Sequence, residues 1–152
     1  MTRFFVPGVP VTQGSKRAAV KRGRAVMWED RAAALKPWRD AITWHARAAR
    51  VQIPTGTPVA VELEFVLPRP RGHYGTGRNR GQLRPSAPTR PAVKPDVDKL
   101  ARAALDALTA SGIYHDDAQV AALYVTKVYA TRGGPGVWIG VEELPTQRKE
   151  TP

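Results

Sequence analysis

The sequence contains no cysteine. That absence excludes disulfides, thiolate zinc sites, iron–sulfur clusters and a cysteine nucleophile. Histidine is scarce too: His45, His73 and His115 are scattered, and no zinc spacing links them. No apolar run approaches the ~18 residues that a membrane span needs, so no membrane association is expected. The apolar stretch at the N-terminus is too short for a signal peptide, and Pro7 and Pro10 interrupt it. Together these absences lead to the expectation of a cytoplasmic protein. Acid is also missing locally: residues 65–95 contain no Asp or Glu.

What is present is basic. The 152 residues carry a formal net charge of +11, and 17 of the 24 basic side chains are Arg. Residues 1–95 hold 18 basic and 5 acidic residues, a balance of +13, whereas residues 96–152 hold 6 and 8, a balance of −2. The planar guanidinium fork grips phosphate, so a one-sided arginine excess points to nucleic acid. Length and an ordinary apolar fraction fit one domain over 1–145, with a frayed tail at 146–152.

The pattern along the chain predicts β-α-β-α-β-β: an α/β (α+β) fold with a single small mixed sheet and two helices on one face. A short strand is expected at 3–7. Residues 12–26 are polar and basic, a loop or ragged hairpin. A helix is expected over 30–50, with Pro37 in its first turn and Trp38, Ile42, Ala46 and Ala49 at helical spacing. Val59, Val61, Leu63, Phe65 and Leu67 alternate as a strand with one buried face. A second helix over 98–110 carries the stripe Leu100, Ala103, Ala104, Ala107 and Leu108, stopped by Gly112. Residues 119–130 are β-rich, and 137–141 are expected to pair back on them as a hairpin across the Thr131–Gly136 turn.

Residues 68–93 differ in kind. They hold six Arg, four Gly and five Pro, and a loop of this length inside a compact domain is usually functional. A mobile, phosphate-gripping arm is expected, with Arg69, Arg71, Arg78, Arg80 and Arg84 on DNA, joined by Lys16, Arg17, Lys94 and Lys99. Gly72–Asn79 has the glycine spacing of a P-loop, but Arg78-Asn79 stands where Lys-Ser/Thr is needed.

The stretch from Lys94 to Val120 carries the chemistry. Asp96 and Asp98 precede an apolar helix, and Asp116 and Asp117 precede a strand. Asp98 can be read simply as a helix cap, and Asp116-Asp117 as a polar turn. Residues i and i+2 point apart in a continuous helix, so Asp96 and Asp98 share a ligand only where the chain is extended. A helix from 98 to 112 spans about 21 Å at 1.5 Å per residue. An extended return over 113–117 covers roughly 16 Å. Asp117 can thus come back near the helix start. Three carboxylates meeting there are costly unless a cation joins them, and oxygen-only ligation suits Mg²⁺ or Mn²⁺.

Asp96-Val97-Asp98, the helix run Arg102-Ala103-Ala104-Leu105-Asp106-Ala107-Leu108 with Gly112, and Asp116-Asp117-Ala118-Gln119-Val120 closely resemble the RusA-type Holliday junction resolvases. These are endodeoxyribonucleases often carried by phages and prophages. The close match covers about 27 residues of the chain. Elsewhere only the order of elements, the Gln13–Arg17 run and the Gly72–Tyr74 loop are similar. The resemblance implies a homodimeric, Mg²⁺-dependent enzyme that nicks four-way DNA junctions in pairs during recombination and repair. It places metal ligation on Asp96, Asp98 and Asp117, with Asp116 as a supporting acid at the metal. It places an essential helix lysine of the family at Arg102, a departure. Arg can stabilise a phosphate but cannot donate a proton at neutral pH. Lys99 is a possible substitute, and Arg102 can also be read as a helix salt-bridge partner of Asp98 and Asp106. The rival readings are a less selective nuclease of flaps or branched DNA, and a non-catalytic basic DNA-binding module.

Overall fold

The computed structural model describes residues 1–14 and 29–147, with side chains of the first helix described from Ala33 onward. Lys16, Arg17, most of the 12–26 segment and the tail beyond 147 lie outside the described residues. The elements are β1 (Thr2–Pro7), α1 (Glu29–Ala48), β2 (Val59–Leu67), α2 (Val97–Ser111), β3 (Val120–Tyr129) and β4 (Gly136–Glu143). The expected mixed α+β architecture and element order are therefore present.

One four-stranded sheet runs in the order β1-β4-β2-β3. β4 is antiparallel to β1 and to β2, while β2 and β3 are parallel. A parallel pair needs a long crossover, and α2 with its flanking loops supplies it. The alternation read in β2 is realised: Val59, Val61, Leu63, Phe65 and Leu67 are buried, and the residues between them are half-buried. Their inner face joins Val137, Ile139 and Val141 of β4, Trp38, Ile42 and Ala46 of α1, and Leu100, Ala104 and Leu108 of α2 in one core. Phe5 and Trp138 meet on the other face, with the Arg3 guanidinium 5.0 Å from the Trp138 ring centre.

Two expectations are corrected. The 119–130 and 137–141 strands do not form a hairpin, because β2 lies between them. β2 is buried along its inner face and has ladder partners on both edges, so it takes the centre. The turn after β3 then crosses two strand spacings of ~4.8 Å each, held by bonds from Ala130 N–H to the Leu67 carbonyl (2.9 Å) and from Gly8 N–H to the Pro135 carbonyl (3.0 Å). Pro37 lies inside α1 rather than in its first turn. Pro37 is exposed there while Trp38 next to it is buried, so burial of the Trp38–Ile42–Ala46 stripe outweighs the one backbone bond that proline removes. α2 ends as read, with Gly112 at φ 80°, a left-handed cap that glycine adopts without a Cβ clash.

Candidate active site

The chain enters α2 extended. Asp96 has φ −73° and ψ 134° and occupies the cap position, and its backbone carbonyl accepts the Leu100 N–H at 3.1 Å. Its side chain makes no capping hydrogen bond. Asp96 instead faces Lys99, with Nζ 3.3 Å from Oδ2 and the side chains 46% and 41% exposed. Such an exposed pair contributes at most ~1 kcal/mol. Asp98, exposed in the first helical turn, is not the cap residue. The simple capping explanation therefore accounts for neither carboxylate.

Lys127 on β3 fixes this entry segment. Its Nζ donates to the carbonyls of Val93 (2.6 Å) and Pro95 (2.9 Å). Nothing in the sequence singles it out, since it is one lysine in a β-rich run. Its role follows only from the parallel pairing that brings β3 beside β2.

After Gly112 the chain turns back through buried Ile113 and Tyr114. Asp116 caps a single helical turn over Asp117–Gln119. Its carboxylate accepts the Ala118 N–H at 2.7 Å, and the Gln119 Oε1 accepts the N–H of Asp116 at 3.2 Å and of His115 at 2.8 Å. Gln119 Nε2 donates to the carbonyls of Pro54 and Thr57, at 3.0 Å each. For Asp116 the polar-turn reading is realised: this is a capping box. Asp117 is exposed, and the Thr109 hydroxyl donates to its carboxylate. Burial, and then the nearby Asp117 charge, push the Tyr114 phenol well above its ordinary value, so it stays protonated. Its hydroxyl donates to the Leu105 carbonyl at 3.4 Å.

Asp98, Arg102 and Asp117 line one open cleft of about 400 Å³, walled by Val97, Ala101, Leu105, Leu123 and Val125. The helix and its return thus set the two carboxylates on one cleft, Asp98 at the start of α2 and Asp117 beside Thr109 near its end. The third expected carboxylate stands apart. Asp96 is not among the residues lining the cleft, and among the described residues no three acids or histidines stand close enough to hold a metal ion. Asp96 is turned to Lys99 instead. Carboxylate oxygens are the donor type Mg²⁺ takes, and that ion keeps much of its water shell, binding through one or two carboxylates plus substrate phosphate. Arg102 forms no ion pair among the described residues. Asp106, its expected helix partner, accepts from Gln13 Nε2. The helix salt-bridge reading of Arg102 is therefore not realised.

The basic residues divide into two groups. Arg69 is spent on structure: its Nε donates to the Ala130 carbonyl (3.1 Å), an Nη donates to the Pro88 carbonyl (2.7 Å), and the guanidinium lies 5.1 Å from the Tyr129 ring centre. Arg84 Nε donates to the Tyr74 carbonyl at 2.9 Å. Arg71, Arg78, Arg80 and Lys94 are exposed, and Lys99 faces Asp96. The 68–93 segment, expected as a mobile arm, has local structure of its own: single helical turns at Arg71–His73 and Gly77–Asn79, and bridges pairing Tyr74 with Leu83 and Gly75 with Arg80.

A small α+β fold with two carboxylates and an arginine on one cleft, in a chain that also carries an acid-free arginine loop, suits a protein that acts on phosphodiesters. The chain belongs to the endodeoxyribonuclease RusA family, whose family model matches residues 7–142. These enzymes hydrolyse phosphodiester bonds in DNA. An uncharacterized protein of Bacillus subtilis, YqaN, is 29% identical over 142 residues, covering 93% of this chain and 96% of that protein. The crossover junction endodeoxyribonuclease RusA of Shigella sonnei is 31% identical over 97 residues, covering 64% of this chain and 62% of its own length. Among the described residues no helix is long and apolar enough to cross a membrane.

Proposed function

We propose that this chain is a Mg²⁺-dependent endonuclease that resolves four-way DNA junctions, acting as a homodimer. The observation that carries the proposal is the single cleft shared by Asp98, Arg102 and Asp117. Asp98 and Asp117 would hold the metal, with Mn²⁺ as an alternative ion, and Asp96 joins them on leaving its weak contact with Lys99. A bound divalent ion neutralises phosphate charge and lowers the pKa of a coordinated water. The chain's own residues do the rest. Thr109 orients the Asp117 carboxylate by donating to it. Arg102 offers a permanent positive charge to the scissile phosphate. The exposed Arg71, Arg78, Arg80 and Lys94 hold the DNA backbone. Two copies related by a twofold axis suit paired nicks across a junction.

The testing experiment incubates the protein with a synthetic four-way junction, a flap and plain duplex, each with Mg²⁺ and with chelator. Junction nicking that needs Mg²⁺ is the expected outcome. Equal cutting of flaps would replace the proposal with a broader branched-DNA nuclease. Binding without any cutting would leave a DNA-binding module.

A further inference from the structure

The glycine run that fails as a P-loop builds something else. Residues 71–84 fold into a cup of about 830 Å³, lined by Arg71, Tyr74, Gly77, Arg80, Gly81 and Arg84 among others. The hollow is as open to solvent as the Asp98–Asp117 cleft, and its size admits a single nucleotide. The cup is held in shape. The Gly75 N–H donates to the Gln82 carbonyl at 2.9 Å, the Arg84 N–H to the His73 carbonyl at 2.8 Å, and Arg84 Nε to the Tyr74 carbonyl. A Cβ on Gly75 would come within 2.7 Å of the Asn79 carbonyl oxygen, so that close approach requires glycine. Both ends of the loop are fastened to the end of β3, through Arg69 on Tyr129 and Ala130, and through Lys127 on Val93 and Pro95.

Its chemistry is specific. Arg71, Arg80 and Arg84 border the cup, Arg84 held to the Tyr74 carbonyl, and residues 65–95 supply no acid to neutralise them. Positive charges gathered without a counter-charge favour an anion. Tyr74, half-buried, is the one aromatic residue of the lining, and unstacked bases are recognised by aromatic rings.

We infer that the cup takes one unpaired DNA nucleotide, its base against Tyr74 and its phosphate between Arg71 and Arg80. This rests on the endonuclease reading and adds to it how branched DNA is told from duplex. A nucleotide at a branch point is extracted at less cost than one in a continuous stack.

The test is equilibrium binding in chelator, so that no cutting intervenes. Three DNAs are compared: a duplex, the same duplex with a one-nucleotide bulge, and that bulge made abasic. The wild-type protein is expected to bind the bulge at least ~5-fold tighter than the duplex, the scale of one base–aromatic stack, and to lose that preference for the abasic bulge. Tyr74→Ala should lose the preference with duplex affinity kept, and Tyr74→Phe should retain it. Arg71→Ala with Arg80→Ala should weaken binding to both bulges more than to duplex. Equal wild-type affinity for the intact and abasic bulges overturns the inference without recourse to any variant. So does a loss in Tyr74→Ala that is uniform across the three DNAs. Cleavage by the same preparation with Mg²⁺ is scored separately. Bulge preference without cleavage sinks the nuclease reading alone, and cleavage without bulge preference sinks the cup alone.

Discussion

Replacing Lys127 with Met keeps the length of the side chain and removes its ammonium. The variant loses two charge-assisted hydrogen bonds, at 2.6 and 2.9 Å, to carbonyls of the segment that leads into Asp96. Hydrogen bonds to charged groups are worth ~1.5–3 kcal/mol each when buried. Val93 is exposed and Pro95 half-buried, so water replaces much of the loss, and a total of about 1–2 kcal/mol is the reasonable scale. At ~2–4 °C per kcal/mol for a chain of this size, the melting temperature should fall by roughly 2–8 °C. The effect on chemistry should be larger. A shift of order 1 Å in a catalytic group costs about 10²-fold in rate, and Asp96 and Asp98 follow directly from the freed segment. We predict a single-turnover cleavage rate reduced ~10-fold or more and a raised Mg²⁺ requirement, with Lys127→Arg restoring most of both. The assay is thermal unfolding alongside junction cleavage across a Mg²⁺ titration. A Met variant that melts earlier but cleaves at the wild-type rate, with the wild-type Mg²⁺ requirement, would refute the positioning role and leave Lys127 as a loop fastener.

Three further outcomes follow from the site. Arg102→Lys should keep much of the activity and Arg102→Ala should lose on the order of 10²-fold, as removal of a transition-state charge partner does; near-normal cleavage by the Ala variant moves attention to Lys99. Asp116→Asn should cleave within ~3-fold of wild type because Asn caps as well as Asp, while Asp116→Ala should lower stability by ~1 kcal/mol in chemical denaturation. The third concerns Tyr114, whose folded pKa is raised above an ordinary value of about 10. The unfolded chain therefore releases that proton first, so stability is fully present below pH ~10 and falls as the pH rises above it. Tyr114→Phe should remove that alkaline loss, read from denaturation midpoints between about pH 9 and 11.

β2 was legible because its alternation reports burial directly, and α2 because a single apolar stripe ends at a glycine. The lengths alone show that the chain doubles back along α2 after Gly112, but not that Asp117 stops beside Thr109. The partner choice of β4 was not legible, because adjacency in sequence favours a hairpin while full pairing of the buried β2 is a property of the whole sheet. Pro37 misled for a similar reason, since local propensity yields to burial of Trp38 and Ile42. Asp96, Asp98, Asp116 and Asp117 look alike in sequence, yet the structure separates them. One faces a lysine, one is capping, and two share a cleft, and only side-chain direction tells them apart. Lys127 and Thr109 were silent because their partners lie on other elements. Charge alone marks Arg69 and Arg84 as phosphate contacts, whereas the structure uses them to hold the loop together.

The most direct measurement is single-turnover cleavage of a four-way junction, with Mg²⁺, by the wild-type protein and by Asp98→Asn and Asp117→Asn. The site described here predicts paired nicks by the wild type. It predicts no cutting by either variant, with junction binding kept or tightened because a negative charge near phosphate is gone. Wild-type turnover by either variant, or a junction left intact by the wild type in Mg²⁺, would contradict it.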